Sequence, residues 1–355
     1  MTIPTDGEVR RRLAVAGEQA ARVVDLSNLG LPEVPAGIAE LGAADWVDLS
    51  GNAIATVPSW LFDLDGLVWL DLSGNRLAEL PGAASAPAGL RRLDLAGNRL
   101  SRLPRWLAEL TRLAWLDLAG NGLTAVPPVV AELPGLRHLD LAGNRLADLP
   151  VRLADLAALD LLRLRGNAFT TLPPQVYRLP GLTGLDVAAN GLSGLADAVT
   201  ELTELRWLDA ADNRITRLPA TLRSLSRLRR LDLSGNRLTE LPGLPAALSD
   251  LDLRGNHLRH VGPGLREAPA LVRLDLSGNS LTEVPPALRE LTGLTWLGLA
   301  ENRISEAPEW ICGLTELRWL FLAENPLDGP PSYLRSMSRL EELDIRVDPA
   351  ERAAR

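Results

Sequence analysis

The stretch Leu90–Arg112 reads LRRLDLAGNRLSRLPRWLAELTR, and it is one period of a pattern that runs through almost the whole chain. Its Asn98 has counterparts every 23 residues at Asn52, Asn75, Asn121, Asn144, Asn167, Asn190, Asn213 and Asn236. After one 20-residue step the series resumes at Asn256, Asn279, Asn302 and Asn325. A period held this strictly dictates stacked repeats, each burying its apolar face against its neighbours. The first half of the unit alternates, with Leu93 and Leu95 inward and Arg92, Asp94 and Ala96 outward, which is the period of a strand. The second half changes to a spacing near three, at Leu103, Leu107, Leu110 and Leu113, which suits a short helical turn or 3₁₀ piece. Pro104, like Pro58, Pro127 and Pro219, fits the first turn of such a piece, where its missing N–H costs nothing. The asparagine stands where the chain leaves the strand and traps backbone donors and acceptors inside. A carboxamide satisfies both kinds, and stacking repeats that bond as a ladder.

The consensus LxxLDLxGNxLxxLPxxLxxLxx divides the chain into an N-terminal region (1–20), fourteen units (21–339) and a partial unit with a tail (340–355). The signature L-x-x-L-x-L-x-x-N-x-L, nearly full from Ala44 to Asn325, closely resembles the leucine-rich repeat family. That resemblance implies an α/β leucine-rich repeat solenoid, a horseshoe or arc with a concave parallel sheet. Its convex side would carry short helical or 3₁₀ turns and extended segments. The LPxxLxxL unit is similar to intracellular scaffold-type repeats found with Ras-pathway regulators. The shortened unit Leu228–Ala247, LRRLDLSGNRLTELPGLPAA, is similar to the 20-residue repeats of secreted bacterial effectors.

Departures from the consensus carry their own expectations. In DLSNLGLPEVP, Asn28 stands one place early and Leu29 fills the asparagine slot. Residues 8–20 predict a short capping helix with Leu13, Ala16 and Ala20 on one face. At the other end Asp348 takes the asparagine slot. GAASAPAG (82–89) and the shortened tenth unit predict an extended back in place of a helical turn. Ala196 replaces the proline of the eighth unit.

Composition limits the function. The net charge of −8 argues against nucleic acid as a partner. The single cysteine, Cys312, forms no disulfide within the chain and fits a reducing compartment. The N-terminus MTIPTDGEVRRRLAV has no apolar signal region, and no apolar stretch reaches membrane-spanning length. A cytoplasmic protein without a membrane role is the expectation.

Outward strand positions lie about 4.8 Å apart from unit to unit, so each column of the repeat becomes a stripe on the surface. The middle column is acidic: Asp25, Asp48, Asp71, Asp94, Asp117, Asp140, Asp186, Asp209, Asp232, Asp252, Asp275 and Asp344. It serves as framework and solubility, or it steers a basic protein surface. A flat row of single carboxylates does not wrap a metal ion. Arg163 breaks the row, with Arg165 beyond it, and Gly298 and Phe321 replace the aspartate farther on. Arg163 is either an ion-pair partner of Asp140 and Asp186 or a specificity element. The preceding column holds Trp46, Trp69, Trp115, Trp207, Trp296 and Trp319, with Arg92 and His138 among the remainder. Core burial does not account for these tryptophans. They either bind a partner or stack locally as products of repeat duplication. Trp60, Trp106 and Trp310 share a slot on the back and are assigned to structure. Arg76, Arg99, Arg145, Arg214, Arg237 and Arg303 form a basic edge just after the asparagines.

No Walker loop, HExxH or paired CxxC occurs, and the three histidines, His138, His257 and His260, form no catalytic set by spacing. His138 falls near Asp117 and Asp140, and without a nucleophile or pocket no enzyme activity and no cofactor are expected. The expected function is a non-enzymatic adaptor or regulator that binds a protein or peptide on its concave face, as a monomer. A small GTPase is suggested by family likeness alone. A self-assembling structural protein and a host-directed, effector-like binder are the alternatives. The candidate contact residues are Trp46, Trp69, Trp115, Trp207, Trp296, Trp319, Phe321, His138, Arg163, Arg165, Asp94, Asp117 and Asp140.

Overall fold

Each repeat makes one strand of three residues, because the alternating stretch ends where the asparagine turn begins. The computed structural model describes residues 6–18, 23–82, 86–327 and 331–345. The chain divides into two compact units, Met1–Ala168 and Phe169–Arg355. In the first unit the strands are β1 (Val23–Asp25), β2 (Trp46–Asp48), β3 (Trp69–Asp71), β4 (Arg92–Asp94), β5 (Trp115–Asp117), β6 (His138–Asp140) and β7 (Leu161–Arg163). They pair in parallel in chain order, so Trp46, Trp69, Arg92, Trp115 and His138 are in register, as are the aspartates from Asp25 to Asp140 and then Arg163. The second unit repeats the scheme with β8 (Gly184–Asp186), β9 (Trp207–Asp209), β10 (Arg230–Asp232) and β11 (Asp250–Asp252). It continues through β12 (Arg273–Asp275), β13 (Trp296–Gly298), β14 (Trp319–Phe321) and β15 (Glu342–Asp344), again parallel and in order.

The leucines predicted to point inward do so: Leu70, Leu93, Leu95, Leu116 and Leu118 are all 0% exposed. On the opposite side the backbone makes 3₁₀ turns such as Arg105–Glu109, where Pro104 sits at φ −71°, ψ 154° and its carbonyl accepts from the Leu107 N–H. Ala196 adopts nearly the same angles (φ −75°, ψ 158°) before the turn Asp197–Glu201, so the missing proline does not cost that unit its turn. Residues 241–245 of the shortened unit make no 3₁₀ turn. Of the segment 82–89, residues 83–85 lie outside the described residues, and the others make no 3₁₀ turn. Asp348 and Ala20 also lie outside the described residues.

Helix α1 (Asp6–Glu18) covers the start of the first unit, two residues earlier than expected. Ala16 is buried. A methyl group on Gly37, in the 3₁₀ turn Ala36–Leu41, would lie 2.8 Å from Leu13 Cδ1, so the helix rests directly on that turn. Helix α2 (Pro174–Tyr177) is the only other α-helical turn among the described residues. Asn28 takes φ 58°, the left-handed position that Gly51 and its equivalents fill in later units. The early asparagine therefore shapes the turn, while Asn52 Oδ1 accepts from the N–H groups of Leu29 and Leu31, each at 3.0 Å.

The ladder is fully formed at Asn98. Its Nδ2 donates to the carbonyls of Leu72 (2.9 Å), Leu95 (3.1 Å) and Ala96 (3.2 Å), and its Oδ1 accepts from Leu77 N–H (3.0 Å). Removing this side chain strands buried groups of two adjacent repeats. Asn98→Ala should lower unfolding stability by about 3 kcal/mol in urea titration. Asn98→Asp, equal in shape but with no N–H to give those carbonyls, should be no better. A loss below about 1 kcal/mol in both would show that water replaces the ladder.

Candidate functional site

Where a strand ends in aspartate, that residue has a local task. In the first unit its Oδ1 accepts the N–H two residues on, from Ser50 to Asp48 (2.9 Å), Ser73 to Asp71 (2.9 Å), Ala96 to Asp94 (3.1 Å), Ala119 to Asp117 (2.8 Å) and Ala142 to Asp140 (2.9 Å). Ser50 and Ser73 add hydroxyl donors at 2.6 and 2.7 Å. These bonds turn the chain out of the strand toward the asparagine. They occupy Oδ1 and leave Oδ2 to the sheet face.

Two guanidiniums pair with the ends of this acidic row. Arg12 of α1 reaches Asp25 at 3.3 Å, and Arg163 reaches Asp140 Oδ2 at 3.3 Å. Between them Asp48, Asp71, Asp94 and Asp117 make no ion pair among the described residues. The charge is felt. Desolvation, with Asp71 and Asp140 adding repulsion, raises the Asp94 carboxyl above its ordinary range. Desolvation and the neighbours Asp140 and Asp94 push Asp117 up to about 7, against the opposing pull of its Ala119 hydrogen bond and of Arg163.

The column beside this row is a continuous stack. Trp46 and Trp69 lie face to face, centroids 3.9 Å apart and planes within 11°. Arg92 is held between two rings, its Cζ 4.3 Å from Trp69 and 4.0 Å from Trp115. His138 follows, 4.9 Å from Trp115 with its plane tilted by 43°. The Nε1 atoms of these three tryptophans and Arg92 Nε are covered and hydrogen-bond nothing. Ring contact and cation–π attraction, not hydrogen bonding, hold the column together. The local stacking offered by the sequence is therefore real.

In the second unit Arg273 lies over Trp296 (3.8 Å), and Phe321 lies 5.2 Å from the same indole. Trp319, in register with Trp296, is half-buried. Gly298 has a steric reason: a Cβ there would lie 2.4 Å from Asp275 Oδ1 and 2.7 Å from Trp296 Cη2. Arg230 and Arg273 share Asp250 at 3.6 and 3.8 Å beside a shallow cleft that Trp207, Asp232 and Asp252 also line. Desolvation, with repulsion from Asp232 and Asp275, raises Asp252 to about 6.

The candidates thus fall into two groups. Trp46, Trp69, Trp115, His138, Asp94, Asp117, Asp140 and Arg163 belong to one face of the first unit, with Arg165 exposed just past β7. Trp207, Trp296, Trp319 and Phe321 belong to the second unit. Sequence spacing set His138 beside Asp117 and Asp140, yet its contact is Asp160, with Nε2 3.2 Å from Oδ1. Arg92 in the stack and Asp48 and Asp71 in the acidic row were not in the candidate set; their column positions were the available signal. Trp106 is structural as assigned: it is 7% exposed, bonds the Pro81 carbonyl at 2.8 Å and packs on Phe62. No group of His, Cys, Asp or Glu among the described residues is placed to hold a metal.

The raised aspartates make stability depend on pH. A carboxyl raised by folding favours the folded chain fully below its unfolded value near 4, and that contribution is lost as pH climbs through about 7 at Asp117. The melting temperature should therefore fall between pH 5 and pH 8. Asp117→Asn keeps the Ala119 acceptor and should recover about 1–2 kcal/mol at pH 8, a figure reduced for solvent screening, and little at pH 5. Equal effects at the two pH values would refute a buried-charge origin.

The repeat family described as "leucine rich repeat" matches residues 81–123, 111–169, 178–238, 246–304 and 269–327. No curated protein matches the chain. Among solved structures, a leucine-rich repeat protein of Leptospira interrogans superposes with a TM-score of 0.84 at 28% identity, covering 96% of this chain and 95% of its own. The leucine-rich effector protein YopM of Yersinia pestis aligns at 24% identity with a TM-score of 0.72, over 98% of this chain and 95% of its own. A plant peptide hormone receptor, RGFR1, solved in complex with RGF2, aligns at 23% identity with a TM-score of 0.65, over 89% of this chain and 57% of its own. The latter two share the fold alone. With the repeat matched over more than half its length, the chain belongs to the leucine-rich repeat family.

Proposed function

We propose that the protein is a non-catalytic binding module, an adaptor or regulator, that takes a protein or peptide partner on its strand-bearing concave face. The observation that carries this is the stack from Trp46 to His138, half-buried on a polar sheet face. Internal contacts cover ring faces in the column, and each of its side chains still keeps part of its surface exposed. Large aromatic surface left beside water is costly unless a partner covers it, and Trp and Arg are the side chains that most often anchor interfaces.

The layout suits a macromolecule better than a metabolite. One aromatic or cationic group per strand over β2–β6 gives a line of recognition points roughly 19 Å long. A small ligand needs polar groups that converge in an enclosed cavity. The plant receptor supports the idea at the level of the fold, since its structure holds RGF2.

The test is affinity capture with wild type and with a Trp46→Ser/Trp69→Ser variant. Circular dichroism and thermal melting would first establish that the variant is folded. Proteins held by wild type should be lost, or bound at least about tenfold more weakly, by the variant. Undiminished capture would dispose of the stack as the contact surface. Light scattering at micromolar concentration should give one chain per particle; a concentration-dependent mass would favour self-assembly instead.

A further inference from the structure

We infer that the segment seated on the first unit is basic, its lysine or arginine side chains entering a window formed by Asp48, Asp71, Asp94 and Asp117 beside the Trp46–Trp69–Arg92–Trp115 stack. The inference rests on the proposed function and names the chemistry of its partner.

The row of carboxylates is bounded from within. Asp25 is answered by Arg12 and Asp140 by Arg163. In the first unit the four aspartates of β2 to β5 make no direct ion pair among the described residues, although Arg92 and Arg163 act on Asp94 and Asp117 from a distance, and these are the strands that carry Trp46, Trp69, Arg92 and Trp115. Carboxylates without a direct ion pair and stacked rings therefore occupy the same four strands. In each window residue Oδ1 is committed to the turn, so one oxygen per strand is left to receive a donor. The window is about 14 Å long at the usual strand spacing, room for two or three cationic side chains of one segment.

The chain itself displays the contact. Arg92 lies between two indoles in the column beside Asp94, and Arg273 repeats the arrangement on Trp296 beside Asp275. With the ring faces of that column already taken, an arginine or lysine from outside would be received by the free carboxylate oxygens alongside it. Other occupants fit poorly. One carboxylate per strand does not converge on a metal ion, and no such group is found among the described residues. An acidic segment or a nucleic acid would meet the same row of carboxylates. A cation there would relieve part of the strain at Asp94 and Asp117, which desolvation and neighbouring aspartates hold above the ordinary carboxylate range.

Fluorescence anisotropy on the full chain tests this with labelled ten-residue peptides that alternate glycine with arginine, glutamine or glutamate. The arginine peptide should bind at least about tenfold tighter than the glutamine peptide, and the glutamate peptide should not bind. Asp71→Asn/Asp94→Asn/Asp117→Asn keeps every turn acceptor and should weaken the arginine peptide at least about tenfold. Glu33→Gln/Glu40→Gln/Glu109→Gln removes equal charge from exposed sites of the same unit and should change affinity less than about twofold. Arg163→Gln frees Asp140, lengthens the window and should tighten binding about threefold or more.

Equal losses in the two triple variants would mean net charge alone is sensed, and the inference falls. It also falls if the peptides do not differ, or if Arg163→Gln leaves affinity unchanged. A dimer that dissociates in the aspartate triple variant would make a second copy, through Arg76, Arg99 and Arg145, the occupant instead. If the Trp46→Ser/Trp69→Ser variant loses captured proteins while no arginine peptide binds, only the basic assignment is lost. If capture is unaffected by that variant, the proposed function itself is lost.

Discussion

Everything on the sheet face depends on a buried carboxamide. Each asparagine donates to carbonyls of its own repeat and of the one before, and accepts from the preceding repeat's turn. Asn121 reaches Leu95, Leu118 and Ala119, just as Asn98 reaches Leu72, Leu95 and Ala96. A strand of three residues has too few ladder bonds to fix its own register. The side-chain bond supplies what the strand lacks and ties each turn to its neighbour at one height. Because those groups are dry, a missing bond costs more than a formed one contributes. Register along the column is thus specified strongly, and rings one period apart can meet face to face.

The aspartate beside it shows how one residue serves the frame and charges the surface. Its Oδ1 closes the turn, which accounts for its recurrence with no ligand invoked. The second oxygen carries the consequence. Repetition sets carboxylates about 4.8 Å apart, where repulsion and partial burial both oppose ionisation. Arg12 and Arg163 pair with Asp25 and Asp140 at the ends of the row, while Asp117 between them is raised to about 7. A frame residue has become an electrostatic feature because its neighbours are copies of itself.

Much of this was legible in the sequence, and the gaps share a cause. Periodicity assigns each residue to a column and a face, so the ladder, the inward leucines and the membership of both stripes follow from counting. Counting does not say where a long side chain goes within its column. His138 turns to Asp160 rather than to Asp117 or Asp140 because the Trp115 ring takes up one side of the imidazole. Arg92 looks like an interruption of the tryptophan series until its guanidinium is seen between two indoles. Gly298 looks like the loss of an aspartate until Trp296 is seen in the space a Cβ would need. Ala196 shows the converse: the backbone angles were required and proline was not. Such outcomes turn on rotamers and ring planes, which a period of 23 does not encode.

The stack also bears on how a partner could be held at modest cost. A lone surface tryptophan samples several rotamers and must give up that freedom on binding. Trp69 is fixed on one side by Trp46 and on the other by Arg92, and Trp115 by Arg92 and His138. Folding has already ordered these side chains. Their covered N–H groups, Nε1 of Trp46, Trp69 and Trp115, hydrogen-bond nothing and so do not draw the rings toward water. Carboxylates held by their own turns are ordered in the same way. A partner thus meets a surface whose geometry was set when adjacent repeats stacked, and the contact energy is spent on the partner's ordering rather than on this chain's.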